Sequence, residues 1–149
     1  MGKLLTDSKR LNIAIILSFI IYFQLIIVGI FYASLGTFMP YHIAFTGKTE
    51  SDVNSYSSEL MTLISILIRL LGFCNITIGI MGLFILYFAF RKREGWTWIL
   101  GLITGCIGYI PNLILTYTVL GLGLMYILTI ISFILCIKAL GISYKEFFK

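Results

Sequence analysis

Hydrophobic residues run along this chain in four unbroken stretches, at about 12–35, 70–90, 97–118 and 122–140, separated by polar or charged segments. A helix crossing the hydrocarbon of a bilayer needs about 20 apolar residues, which each stretch supplies. The strands of an outer-membrane barrel would instead alternate polar and apolar positions. The pattern therefore predicts an all-α integral membrane protein, one four-helix bundle over residues 1–149. Its spans are about 12–35, about 57–90 with a hydrocarbon part at about 70–90, about 97–118 and about 122–140. Residues 36–57 form the one long connection, an outer loop between helices 1 and 2. The short uncharged turn near Val119–Gly123 makes helices 3 and 4 a tight antiparallel hairpin.

The polar positions inside these stretches are also patterned. On a helical wheel Thr62, Ser65, Arg69, Gly72, Asn75, Gly79 and Gly82 fall on one stripe, opposite Leu60, Leu63, Leu67, Leu71, Cys74, Ile78, Met81 and Ile85. In lipid the small and polar face turns toward protein, because small residues let backbones approach and polar groups avoid hydrocarbon. Gly101, Gly105, Gly108, Asn112 and Thr116 form a second stripe, with Pro111 expected to kink the outer half of helix 3. Ser18, Tyr22, Gly29 and Gly36 form a third, on helix 1. Ser57 reads as an N-cap, with Glu59 in the first turn.

Composition agrees: 60% of the residues are hydrophobic and 11% charged, and mean hydropathy is +1.05. A soluble domain of this size could not hide that much apolar surface. The pI near 9.2 does not point to nucleic acid. Lys3, Lys9, Arg10, Arg91, Lys92, Arg93, Lys138, Lys145 and Lys149 fall on one side of the spans, and Lys48 alone on the other. The positive-inside rule then makes both termini cytoplasmic and the 36–57 loop external. The first stretch is too long for the apolar core of a signal peptide and has no convincing cleavage site, so it is expected to be retained.

Candidate chemistry gathers in the outer half. Arg69, Asn75 and Asn112 map there, Gln24 lies near mid-depth and His42 sits on the loop just above. Together they suggest a pocket in which Arg69 offers planar donors to a carboxylate, phosphate or quinone-type oxygen. The structural alternatives are that Arg69 snorkels to lipid phosphate or pairs with Glu59, and that Asn75 and Asn112 bond across helices. His42 is the only histidine, with no cysteine or acidic cluster beside it to complete a metal ligand set. Cys74, Cys106 and Cys136 are far apart and read as small hydrophobes, with no CxxC pair. The P-loop, dinucleotide, HExxH and nucleophile-elbow motifs are absent, so no motif identifies a cofactor, which stays unknown from the sequence.

The run Met39-Pro40-Tyr41-His42 with Gly47, then Arg69-x-x-Gly72, then Arg91-Lys92-Arg93-x-Gly95-Trp96-x-Trp98, resembles a pattern in small prokaryotic four-helix membrane proteins similar to the DoxX-like group. The resemblance covers about residues 36–100. It implies a four-helix bundle with a polar outer-side pocket and, for the broader group, an accessory role near quinone or thiol redox systems. The cysteines of this chain are not placed for thiol chemistry. The acidic interior that a sterol-isomerase-like bundle needs is absent too, since every Asp and Glu lies outside the spans.

Three functions follow. The first is a multi-pass protein binding a lipid-like or quinone-like amphiphile through Arg69, Asn75, Asn112, His42 and Gln24. The second is an accessory or structural subunit whose glycine seams dock a membrane-protein partner or a second copy. The third is a membrane enzyme acting on a lipid-like substrate, with His42 as acid/base and Arg69 as an electrostatic clamp. Membrane lipids are partners in every case. A cavity of a few hundred Å³ reaching Arg69 separates the first and third from the second.

Overall fold

The computed structural model describes residues 6–120 and 123–148, with the side chains of 119, 120, 124 and 125 left aside. Lys3, Lys149 and most of the turn between the last two helices therefore lie outside the described residues. In order, the elements are α1 (Lys9–Leu35), α2 (Pro40–Thr46), α3 (Glu50–Tyr56), α4 (Ser58–Phe88), a 3₁₀ turn (Phe90–Lys92), α5 (Gly95–Leu120) and α6 (Leu124–Phe147). Among the described residues there is no strand. Four segments, Lys9–Leu35, Ser58–Lys92, Gly95–Thr118 and Tyr126–Phe147, are long and apolar enough to cross a membrane, the signature of a multi-pass membrane protein.

The chain forms two compact units, Met1–Phe23 with Gly79–Lys149, and Gln24–Ile78. In the first, Leu11, Ala14 and Ile15 recur at helical spacing on α1 and bury against Leu86, Phe90 and Ala139. That cluster gathers the start of α1, the end of α4 and the end of α6. Lys9, Arg10, Arg91, Lys92, Arg93, Lys138 and Lys145 thus share one end of this unit. Gly82 leaves room for the Tyr22 ring, which a Cβ there would strike.

Helices α5 and α6 pair along their length. Trp98 Nε1 donates to Leu140 O at 3.0 Å, a Cβ on Gly101 would lie 3.2 Å from Leu140 Cδ2, and one on Gly105 3.0 Å from Cys136 Sγ. Further along, the rings of Tyr109 and Phe133 lie 5.8 Å apart and those of Tyr117 and Tyr126 5.5 Å apart. As the α5 number rises the α6 number falls, so the two helices are antiparallel.

Three boundaries differ from the sequence reading, each for a local reason. The segment 36–57 is not simply a loop, because it contains α2 and α3. Pro40 starts α2 with its fixed φ, and Gly47 ends it at φ 64. Thr49 and Asp52 form a reciprocal cap on α3, with Thr49 N–H donating to Asp52 Oδ2 at 2.8 Å and Asp52 N–H to Thr49 Oγ1 at 3.2 Å. Helix α4 stops at Phe88, and Arg93 turns the chain at φ 64 with its N–H on Phe90 O at 2.9 Å. Helix α6 runs seven residues past 140, to Phe147. There the buried Ser143 hydroxyl donates to Ala139 O at 2.7 Å, and the Phe147 ring packs 4.8 Å from Phe90.

Candidate functional site

The unit Gln24–Ile78 is built on a close antiparallel crossing of α1 and α4. A Cβ on Gly72 would collide with Ala33 N and lie 2.7 Å from Gly29 O. One on Gly29 would lie 2.7 Å from Gly72 O and 2.8 Å from Ile76 N. The two backbones touch, so neither position has space for a side chain. One turn before Gly72 on α4, that crossing sets Arg69 against the C-terminus of α1.

A helix leaves its last four carbonyls without partners inside the helix. For α1 these belong to Tyr32, Ala33, Ser34 and Leu35, and all four are satisfied. Gly36 N–H donates to Tyr32 O at 3.1 Å. Arg69 Nη1 donates to Ala33 O at 2.9 Å and Ser34 O at 3.3 Å, and Nη2 to Leu35 O at 3.3 Å. The guanidinium also sets positive charge at the negative end of the α1 dipole. Gly36 is required twice here. Its φ is +59, where side chains are strained, and a Cβ would collide with Arg69 Nε and lie 2.8 Å from Cζ.

Beside this cap lies an open recess of about 280 Å³, lined by Leu35, Gly36, Thr37, Glu50, Met61, Thr62, Ser65, Ile66 and Arg69. Arg69 is exposed and brings five N–H donors. Three hydrogen bonds from Nη1 and Nη2 to α1 occupy part of that set, which leaves two N–H groups without a partner on α1. The Thr62 hydroxyl donates to Ser58 O at 2.9 Å, so its oxygen keeps acceptor capacity. The recess thus has one cation, one carboxylate, three hydroxyls and an apolar wall from Leu35, Met61 and Ile66, a set suited to a small polar head with an apolar extension.

Of the five residues singled out in the sequence, Arg69 alone lines this recess. Asn75 lies nearly two turns further along α4, half-buried. Gln24 lies three turns before the end of α1. His42 is on α2, where its Nδ1 accepts the Met39 N–H at 3.0 Å and closes the start of that helix. Its ring is edge-on to Tyr41 at 4.3 Å and Phe38 at 5.8 Å, and burial among them pushes its pKa down. Tyr41 also shares a hydrogen bond with Tyr32, which ties α2 to α1. Asn112 belongs to the other unit, where its Oδ1 accepts from the Thr116 hydroxyl at 3.0 Å.

The partner of Arg69 is the end of α1, which the sequence reading did not name. Glu59 is not that partner; its carboxylate accepts the Ser57 hydroxyl at 3.0 Å. Glu50 and Thr37 were likewise missed as recess residues. Gly36, directly after an apolar run, was the available signal, since a glycine there marks a left-handed helix end whose carbonyls need donors. Among the described residues, no group of histidine, cysteine, aspartate and glutamate could hold a metal ion. Compared with protein-family models, with curated proteins and with solved structures, the chain matches none.

Proposed function

We propose that this multi-pass protein lies with both termini cytoplasmic, and that its recess beside Arg69 opens on the outer side. There it holds the polar head of a lipid-like or quinone-like amphiphile. The observation that carries this is the double use of Arg69: one part of its donor fork closes α1, and the same side chain lines an open recess of about 280 Å³. That volume lies just below the roughly 300–1,000 Å³ of pockets that enclose whole drug-sized ligands. It suits a headgroup whose tail lies outside, along the exposed apolar surface that α1 and α4 present to lipid. The contacts are Arg69, Thr37, Thr62 and Ser65. His42, Gln24, Asn75 and Asn112 are not needed for them.

The orientation rests on the shared basic end of the unit containing α5 and α6, and on the positive-inside rule. An enzymatic role for His42 has less support, since His42 does not line the recess with Arg69 and its Nδ1 is occupied by the Met39 N–H. The accessory-subunit alternative draws on Gly108, where a Cβ would meet nothing within 4 Å, so this part of the α5 glycine stripe has room for another helix. In Arg69-x-x-Gly72, the arginine caps α1 and the glycine admits its backbone.

Mild extraction, followed by mass spectrometry of the small molecules that copurify, tests the function. The expected result is a stoichiometric amphiphile with the wild type and a depleted one with Arg69→Lys, which replaces a planar fork with a point charge. Equal retention by both proteins would remove Arg69 from the binding role and favour the accessory-subunit function.

A further inference from the structure

We propose that the recess takes a phosphate ester bearing a primary amine, the headgroup of a phosphatidylethanolamine-type lipid. The phosphate sits on Arg69 and the ammonium on Glu50. The inference rests on the headgroup function above and names its ligand class.

The argument is one of charge and donor accounting. Arg69 and Glu50 line the same recess without forming an ion pair. Among the described residues, Glu50 carries no hydrogen bond or ion pair of its own. Arg69 has spent three hydrogen bonds on Ala33, Ser34 and Leu35 and keeps two N–H groups in a planar fork. That remaining edge matches the oxygens of a phosphate. A carboxylate in the same recess asks for a cation that can donate hydrogen bonds, and a primary ammonium brings three donors. The hydroxyl oxygens of Thr62 and Ser65 are further acceptors for it.

The competing heads each leave something unmatched. An anionic glycerol-phosphate head would set like charge against Glu50, which costs affinity. A choline head brings positive charge but no N–H, so the Glu50, Thr62 and Ser65 oxygens gain no hydrogen bond. A quinone carbonyl satisfies Arg69 and leaves Glu50 without a counter-charge.

The test uses the full chain in detergent, stripped of lipid. It is titrated by native mass spectrometry with phosphatidylethanolamine, phosphatidylcholine and phosphatidylglycerol of identical acyl chains, and separately with free phosphoethanolamine. The expected preference for phosphatidylethanolamine over each other lipid is about tenfold, the ratio that about 1.4 kcal/mol supplies. Glu50→Gln should reduce that preference to near equality, and Glu50→Asp should keep most of it. Tighter binding of the lipid than of free phosphoethanolamine assigns the source to the membrane, and equal binding assigns it to a soluble ester of the same chemistry. Three lipids that bind alike, with no change in Glu50→Gln, overturn the inference. The amphiphile function itself survives that result if Arg69→Lys weakens all three lipids, and fails with it if Arg69→Lys weakens none.

Discussion

Replacing Arg69 with leucine opens the C-terminus of α1. In the wild type its guanidinium makes three hydrogen bonds, to the carbonyls of Ala33, Ser34 and Leu35. A hydrogen bond to a charged group is worth about 1.5–3 kcal/mol; the three are counted as one such bond because Arg69 is exposed and two of them are long, and loss of a cation at a helix C-terminus adds about 0.3–1 kcal/mol. The last turn of α1 should therefore lose about 2–4 kcal/mol, a factor of roughly 30 to 700 in its opening equilibrium. Water entering the open recess works toward the lower figure. Hydrogen–deuterium exchange of a peptide over residues 30–38 reads this directly, because the Gly36 amide is protected by its bond to Tyr32 O. A peptide over residues 139–147 serves as control, since Ser143 and Phe147 lie in the other unit. Faster exchange confined to 30–38 is the predicted result. A second variant isolates the geometry. Gly36→Ala suffers from its φ of +59 and from collision with Arg69. In an Arg69→Leu background only the backbone cost remains, so the two substitutions should combine to less than their sum. Wild-type exchange over 30–38 in Arg69→Leu would refute the capping argument.

The crossing of α1 and α4 predicts that Gly72→Ala lowers the melting temperature in detergent, because the new methyl meets the Ala33 and Gly29 backbone. Gly141→Ala, where a Cβ meets nothing within 4 Å, should leave it unchanged or raise stability by up to about 1 kcal/mol. Equal effects on thermal melting would contradict the assigned contact. His42 predicts a pH effect. Burial lowers its folded-state pKa below the ordinary value of 6.5, so its contribution to stability is fully present above that pH and is lost as pH falls through the folded pKa. Melting temperature should drop between neutral pH and about pH 5 in the wild type. The drop should shrink in His42→Ala, and identical slopes would exclude His42 as the cause. For orientation, Lys48→Cys in a background lacking Cys74, Cys106 and Cys136 should react with an impermeant thiol reagent in intact cells. Labelling only after permeabilisation would invert the topology.

The long helices were legible because continuous apolar runs leave few alternatives in a bilayer. The short helices α2 and α3 were not, since seven-residue helices depend on caps more than on any periodic face. Pro40, Gly47, Thr49 and Asp52 carry that information, in a segment whose polarity suggested a loop. Arg69 stood out as the one charge expected at membrane depth. Its partner did not, because backbone carbonyls have no residue identity and only Gly36 marked where α1 ends. Glu50 falls within the 36–57 segment read as a loop, and what brings it beside Arg69 is tertiary placement that periodicity cannot express. The glycine stripe of α5 was half resolved. Gly101 and Gly105 meet Leu140 and Cys136 of α6, whereas Gly108 meets nothing within 4 Å.

The most direct test of the central claim is a nitrogen-15 to phosphorus-31 dipolar measurement by solid-state NMR, on protein carrying guanidino-labelled arginine in phosphatidylethanolamine-containing bilayers. Arg10, Arg91 and Arg93 also carry the label, so the informative quantity is the difference between wild type and Arg69→Lys. The account predicts a rigid, short-range arginine–phosphate coupling in the wild type that disappears in Arg69→Lys while the couplings of the other arginines persist. Identical dephasing in the two proteins would contradict it, because Arg69 would then close α1 without holding a headgroup.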